Sequence, residues 1–120
     1  MTPEGKVKFW LKRQLKRRYP KCKIVSPRGG PFGRAGTADL ICCIYGFYVE
    51  IEVKTENNDL SPLQRASLFE TVNAGGVAAK ISGRDELRLA AICDEVDKRY
   101  GLYMAGKRGA QTIQSSDNHD

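Results

Sequence analysis

Gly36-Thr37-Ala38-Asp39-Leu40-Ile41-Cys42-Cys43-Ile44-Tyr45-Gly46-Phe47-Tyr48-Val49-Glu50-Ile51-Glu52-Val53-Lys54 is the stretch on which the reading of this chain turns. Two runs rich in β-branched and aromatic residues flank Gly46-Phe47, and a Gly-X pair suits a two-residue II′ turn, so the local expectation is a β-hairpin. With Gly46-Phe47 as the loop, Tyr45 pairs with Tyr48, Cys43 with Glu50, Ile41 with Glu52 and Asp39 with Lys54. Side chains alternate between the faces of a strand. Asp39, Glu50, Glu52 and Lys54 therefore share one face, and Leu40, Ile44, Val49, Ile51 and Val53 take the other.

The polar face converges on a chemistry. Cβ atoms of directly opposed residues lie roughly 5 Å apart and diagonal ones about 7 to 8 Å. A divalent cation held at about 2.0 to 2.1 Å from carboxylate oxygens can thus bridge Asp39 and Glu52. It removes the repulsion between them and leaves positions for water and a phosphate oxygen, with Lys54 standing beside it. Glu50 shares this face and reads equally as a supporting acid or as a solvated strand residue.

Working outward, 120 residues bound the chain to one core. Its net charge of +6 is unevenly spread: Gly5 to Ala38 holds eleven Lys or Arg and no acid, while the remaining segments hold nine bases and all fourteen acids. A one-sided basic segment is the electrostatic footprint of a nucleic-acid binder. A membrane surface is the weaker match, because the first helix lacks a clean apolar face with bulky anchors. No apolar run approaches the ~20 residues of a membrane span, and the charged start does not read as a signal peptide. Cys22, Cys42, Cys43 and Cys93 lack the CxxC spacing of a zinc site and read as reduced core or near-core thiols. The expectation is a soluble cytoplasmic protein.

Thr2-Pro3-Glu4 opens a helix, with Thr2 as N-cap and Pro3 at the first position. Val7, Leu11 and Leu15 mark its packed face, and Lys6, Lys12, Arg13 and Lys16 are candidate DNA contacts on the rest. Glu4 lies at the end of the packed face, where it reads as a charge favourable to the helix dipole. Tyr19-Pro20 ends the helix and Lys21 to Val25 reads as a short strand. The glycine-rich loop that follows carries Arg28 and Arg34, whose guanidinium groups suit phosphates. Beyond the hairpin, Ser61-Pro62 caps a helix to about Asn73 with Gln64 in its first turn. Val77 to Ser82 is a buried strand, and a last helix runs from about Arg84 to Arg99. From Ala105 little is left to bury, so residues 1–104 form the expected domain and 105–120 a flexible tail. The lone His119 falls in that tail, which removes histidine-based hydrolysis.

Ala38-Asp39 at the head of one strand, twelve intervening residues and Glu52-Val53-Lys54 on the next resemble the PD-(D/E)xK nuclease superfamily. Gly36-Thr37-Ala38-Asp39, the short hairpin and the following Leu60-Ser61-Pro62-Leu63-Gln64-Arg65 are most similar to the small VRR-NUC nucleases, relatives of the archaeal-type Holliday junction resolvases. Ala38 stands where the superfamily name has Pro. The resemblance spans Glu4 to about Ser82. It implies a restriction-endonuclease-like α/β core with a mixed sheet in the order αβββαβα and helices packed on the sheet. It also implies hydrolysis with Mg²⁺, or Mn²⁺ in its place: Asp39, Glu52 and the Val53 carbonyl hold the metal, Glu4 is an auxiliary ligand, and Gln64 helps to position the catalytic Lys54. By the same resemblance the substrate is branched DNA, a four-way junction above all, and the working form is a homodimer. Flap or single-strand cleavage in replication or repair, RNA processing on the same fold, and DNA binding without catalysis remain the alternatives.

Overall fold

The computed structural model describes residues 1–27, 38–55 and 58–117, the last ten as backbone alone. Helix α1 (Pro3–Arg18) is followed by strands β1 (Lys23–Val25), β2 (Leu40–Ile44) and β3 (Phe47–Lys54), helix α2 (Pro62–Asn73), strand β4 (Val77–Ser82) and helix α3 (Glu86–Asp117). This is the expected αβββαβα order. The sheet runs β1-β2-β3-β4. β1–β2 and β2–β3 are antiparallel, and β3–β4 is parallel, with α2 making the crossover that a parallel pair requires.

Both capped helices start as their sequences dictate. Thr2 Oγ1 accepts from Gly5 N–H at 3.0 Å ahead of Pro3. At α2, Ser61 Oγ accepts from Gln64 N–H at 3.2 Å while Gln64 Oε1 accepts from Ser61 N–H at 2.9 Å, a reciprocal capping box.

The hairpin register differs from expectation. Ile44 pairs with Phe47, Cys43 with Tyr48 and Ile41 with Glu50, so the loop is Tyr45-Gly46. Both loop residues have positive φ, 54° and 85°, as a type I′ turn demands. Tyr45 tolerates that backbone because its ring is held, edge-on to Tyr19 at 5.4 Å between centroids and stacked on Tyr100 at 4.0 Å. Each β2 residue thus meets a partner two positions earlier than expected. An even slip leaves every side chain on its expected face, and continuing past the Leu40–Ile51 pair sets Asp39 opposite Glu52 instead of Lys54.

One face of the sheet carries the core. Leu40, Ile44, Val49, Ile51 and Val53 cluster with Val7, Leu11 and Leu15 of α1, Ile81 of β4, and Leu89, Ile92 and Val96 of α3. Burying a side chain of this kind is worth about 1.5–3 kcal/mol, so this face anchors the sheet. Tyr19 fastens α1 to α3 by donating to Asp97 Oδ1 at 2.7 Å, and Arg18 pairs with Asp97 Oδ2 at 2.6 Å.

The last helix is longer than expected. It begins at Glu86 and continues beyond Arg99 to Asp117, so the segment from Ala105, expected to be loose, is helical backbone to that point. Glycines at 101 and 106 cost about 1 kcal/mol each relative to Ala without breaking a helix as Pro does. The first turn beyond Arg99 is tied back by Tyr100 on Tyr45 and by Tyr103 edge-on to Phe47. Among the described residues no helix is long and apolar enough to cross a membrane. All four cysteines are free thiols, with Cys22, Cys42 and Cys93 buried and Cys43 exposed.

Candidate active site

The polar face of β3 lies under α2, and the partners of Glu50 and Glu52 come largely from that helix. Glu50 is 4 % exposed and its carboxylate is enclosed by hydroxyls. Thr71 Oγ1 donates to Oε2 at 2.9 Å, Ser67 Oγ to Oε2 at 3.5 Å, and Tyr48 Oη to Oε1 at 3.3 Å. Those bonds make Glu50 a clamp between β3 and α2.

Glu52 is 3 % exposed but incompletely satisfied. Its Oε1 accepts from Gln64 Nε2 at 3.0 Å and lies 3.9 Å from Lys54 Nζ. Its Oε2 is buried with no hydrogen-bond partner among the described residues. Leaving a buried acceptor unpaired costs about 1–3 kcal/mol, and more when it is charged. Burial, with the Asp39 carboxyl beside it, pushes the Glu52 acid well above the ordinary carboxylate range, and Lys54 offsets only part of that rise.

Asp39 enters from the start of β2. Its carbonyl accepts from Ser26 Oγ at 3.2 Å, which ties the entry to the chain just after β1. Its Oδ2 accepts from Val53 N–H at 2.9 Å, and its Oδ1 lies 3.7 Å from Lys8 Nζ. The N–H and C=O of a strand residue face the same edge, so the Val53 carbonyl also looks toward Asp39.

The donors gathered here are all oxygens, the set preferred by a hard cation such as Mg²⁺ or Mn²⁺. Two carboxylates crowd together, one with an orphaned buried oxygen, and a divalent cation would relieve both conditions. The residues therefore fit such an ion. Among the described residues no cluster of three or more His, Cys, Asp or Glu gathers around it, so Glu4 does not join Asp39 and Glu52.

The remaining predicted residues divide. Lys54 stands at the site, with a side chain 15 % exposed. Gln64 reaches the site too, but its amide donates to Glu52 and not to Lys54. Its side-chain oxygen is already spent on the α2 cap, which leaves the NH₂ end to point at β3. On α1, Lys6 and Arg13 are exposed and Lys12 is half-buried. Lys16 donates to the Cys22 carbonyl and so braces the α1–β1 turn. Arg28 and Arg34 lie outside the described residues.

Lys8 is the site residue that sequence reasoning missed. It follows Glu4 by four positions and so shares its side of α1. The resemblance alone drew Glu4 toward the site, and the four-residue interval extends the same placement to Lys8. Size is no guide to the site either: a cavity of about 610 Å³ lies at the turn end of the hairpin. Tyr19, Pro20, Cys22, Ile44 and Tyr45 are among its walls, and none of the described residues lining it is a carboxylate.

No protein-family model matches the sequence, and no curated protein matches it. Solved structures do. One described as a "VRR_NUC domain" aligns with a TM-score of 0.63 over 78 % of this chain and 97 % of its own, at 20 % identity. Another, described as a "VRR_NUC domain protein", aligns with a TM-score of 0.57 over 78 % of this chain and 88 % of its own, at 21 % identity. At such identities the likeness is one of architecture, and it agrees with the element order and mixed sheet described above. The chain has the fold of the VRR_NUC domain.

Proposed function

We propose that this chain is a divalent-metal-dependent nuclease that hydrolyses phosphodiester bonds of branched DNA, with the four-way junction as its preferred shape. The observation that carries the reading is the buried Oε2 of Glu52, next to Asp39 and without a hydrogen-bond partner among the described residues, with Lys54 alongside. A fold that crowds two buried carboxyl groups at this cost has a use for them. Such clusters also serve structural networks, but there the oxygens are satisfied, as they are in Glu50.

In this reading Asp39, Glu52 and the Val53 carbonyl hold Mg²⁺, with Mn²⁺ as a substitute. Bound there, the ion supplies Lewis acidity that activates water and neutralises charge growing on the phosphate. Gln64 fixes the rotamer of Glu52, so that Oε2 faces the site. Lys54, a cation beside Glu52, donates to the water or to a non-bridging phosphate oxygen and stabilises the transition state. The lysines and arginines of α1 supply the sequence-independent attraction to the DNA backbone.

A domain this small has little surface for reading bases, so recognition of shape through phosphates is the economical solution. Leu63, Phe69 and Val72 of α2 are at least half exposed, which supports a twofold dimer that presents two sites to the four arms.

The test is cleavage of a labelled four-way junction in Mg²⁺, beside duplex, flap and single-stranded controls of the same sequence. Paired symmetric nicks confined to the junction are expected. Cutting of flaps or single strands would reassign the substrate and keep the chemistry. Binding without cutting in any metal would replace the nuclease with a DNA-binding module.

A further inference from the structure

The two carboxylates of the site are held differently. Glu52 is anchored through Oε1, by Gln64 at 3.0 Å and Lys54 at 3.9 Å, and its second oxygen has no partner among the described residues. Asp39 is anchored through Oδ2 by the Val53 N–H at 2.9 Å, and its second oxygen already faces a cation, Lys8 Nζ at 3.7 Å. An ion entering between the carboxylates finds Glu52 open and Asp39 occupied. Of the two lysines, only Lys8 stands at an oxygen the ion needs.

Lys8 is also suited to leave. Its side chain is 26 % exposed and that of Asp39 23 % exposed, so solvent screens the pair and the long contact is weak. Lys12 follows it by four residues on the same side of α1. A Lys8 ammonium that swings off Asp39 therefore joins the basic surface of that helix and loses little hydration.

We infer that Lys8 is an exchangeable counter-ion: it holds Asp39 Oδ1 until a divalent cation displaces it, and it then takes a phosphate oxygen of the substrate. The inference rests on the metal-dependent nuclease reading. It adds a coupling between metal and DNA, because each makes the other's site available, and such coupling is reciprocal.

Calorimetric titration with Mn²⁺ alone, on the full chain, tests the first half. Lys8→Met removes the competitor and is expected to bind Mn²⁺ about two- to fivefold more tightly than the wild type, while Lys8→Arg stays near wild type. A residue that merely braced Asp39 would give the opposite sign. The second half is read from junction binding in Ca²⁺ against chelator, with the DNA checked for cleavage in the same samples. The gain in affinity on adding Ca²⁺ is expected to be about two- to fivefold smaller in Lys8→Met than in the wild type. Unchanged or weaker Mn²⁺ binding by Lys8→Met, or an undiminished Ca²⁺ gain, would overturn the exchange and leave the nuclease standing. Absence of Mn²⁺ binding by the wild type would overturn the metal reading itself, and the exchange with it.

Discussion

At the turn of the β2–β3 hairpin, Tyr45 is edge-on to Tyr19 at 5.4 Å and stacked on Tyr100 at 4.0 Å. At the open end of the same two strands, Asp39 and Glu52 face each other, with a lysine beside each and one buried oxygen that has no partner among the described residues. The turn end holds a strained backbone, Tyr45 at φ 54°, and offsets it by local packing. The open end holds an electrostatic conflict that Lys8 and Lys54 offset only in part. Strain with a local remedy is structural, whereas a cost left standing in a buried site marks the place where a ligand completes the fold.

The sharpest way to break the contrast is Lys54→Ala. Loss of the ammonium is expected to slow junction cleavage by at least about a hundredfold, measured in single turnover. Junction binding in Ca²⁺ should change by less than about threefold, since one partly buried lysine adds little to a whole basic helix. Cleavage retained at near wild-type rates would remove Lys54 from the chemistry.

Glu52→Gln separates stability from function. It is expected to abolish cleavage, yet in chelator above pH 8 it should stabilise the protein by on the order of 1–2 kcal/mol, because the buried charge is gone. The pH dependence has a definite sign. In the unfolded chain Glu52 releases its proton near 4.5, and in the folded, metal-free chain only at about 8, through burial and the adjacent Asp39. The folded state binds more protons inside that window, so metal-free stability falls as pH rises through it. The ion needs the carboxylate, so its affinity should rise over the same window. Denaturant melts from pH 5 to 9, with and without Mn²⁺, read both slopes, and a metal-free stability that rose with pH would contradict the geometry.

Tyr45→Ala is the smallest perturbation. It removes the ring that holds the turn and is expected to cost about 1–2 kcal/mol in denaturant melts. Because the other end of the hairpin is fixed independently by the Val53–Asp39 bond, cleavage should stay within about twofold of wild type. A large loss of activity would mean that the two ends are not separable.

Much of this was legible in the sequence, for reasons specific to each element. The faces of β2 and β3 followed from alternation, which survives an even slip of register. The slip itself was hidden, because the positive φ of Tyr45 depends on Tyr19 and Tyr100, both remote in the chain. Ser61-Pro62 announced the α2 cap, though not the bond from Ser61 N–H to Gln64 Oε1 that completes it. The same bond decided which end of the Gln64 amide was free, yet its target, Glu52, emerges only once α2 packs on β3. Glu50 could be placed on the polar face, but the hydroxyls of Ser67 and Thr71 that enclose it come from another element. Helix α3 outran its expected end because the segment from Ala105 has little to bury, and the aromatic contacts that tie its approach back, Tyr100 on Tyr45 and Tyr103 on Phe47, arise only in the fold.

The central claim is that Asp39 and Glu52 form one cation site, and thermal unfolding at pH 8 with Mn²⁺ against chelator tests it most directly. Mass action requires an ion bound only by the folded chain to raise the melting temperature, by roughly 2.7 kcal/mol of added stability at a hundred times the dissociation constant. The account predicts a clear Mn²⁺-dependent rise for the wild type that Asp39→Asn and Glu52→Gln each abolish. An equal rise in all three proteins, or none in the wild type, would contradict it.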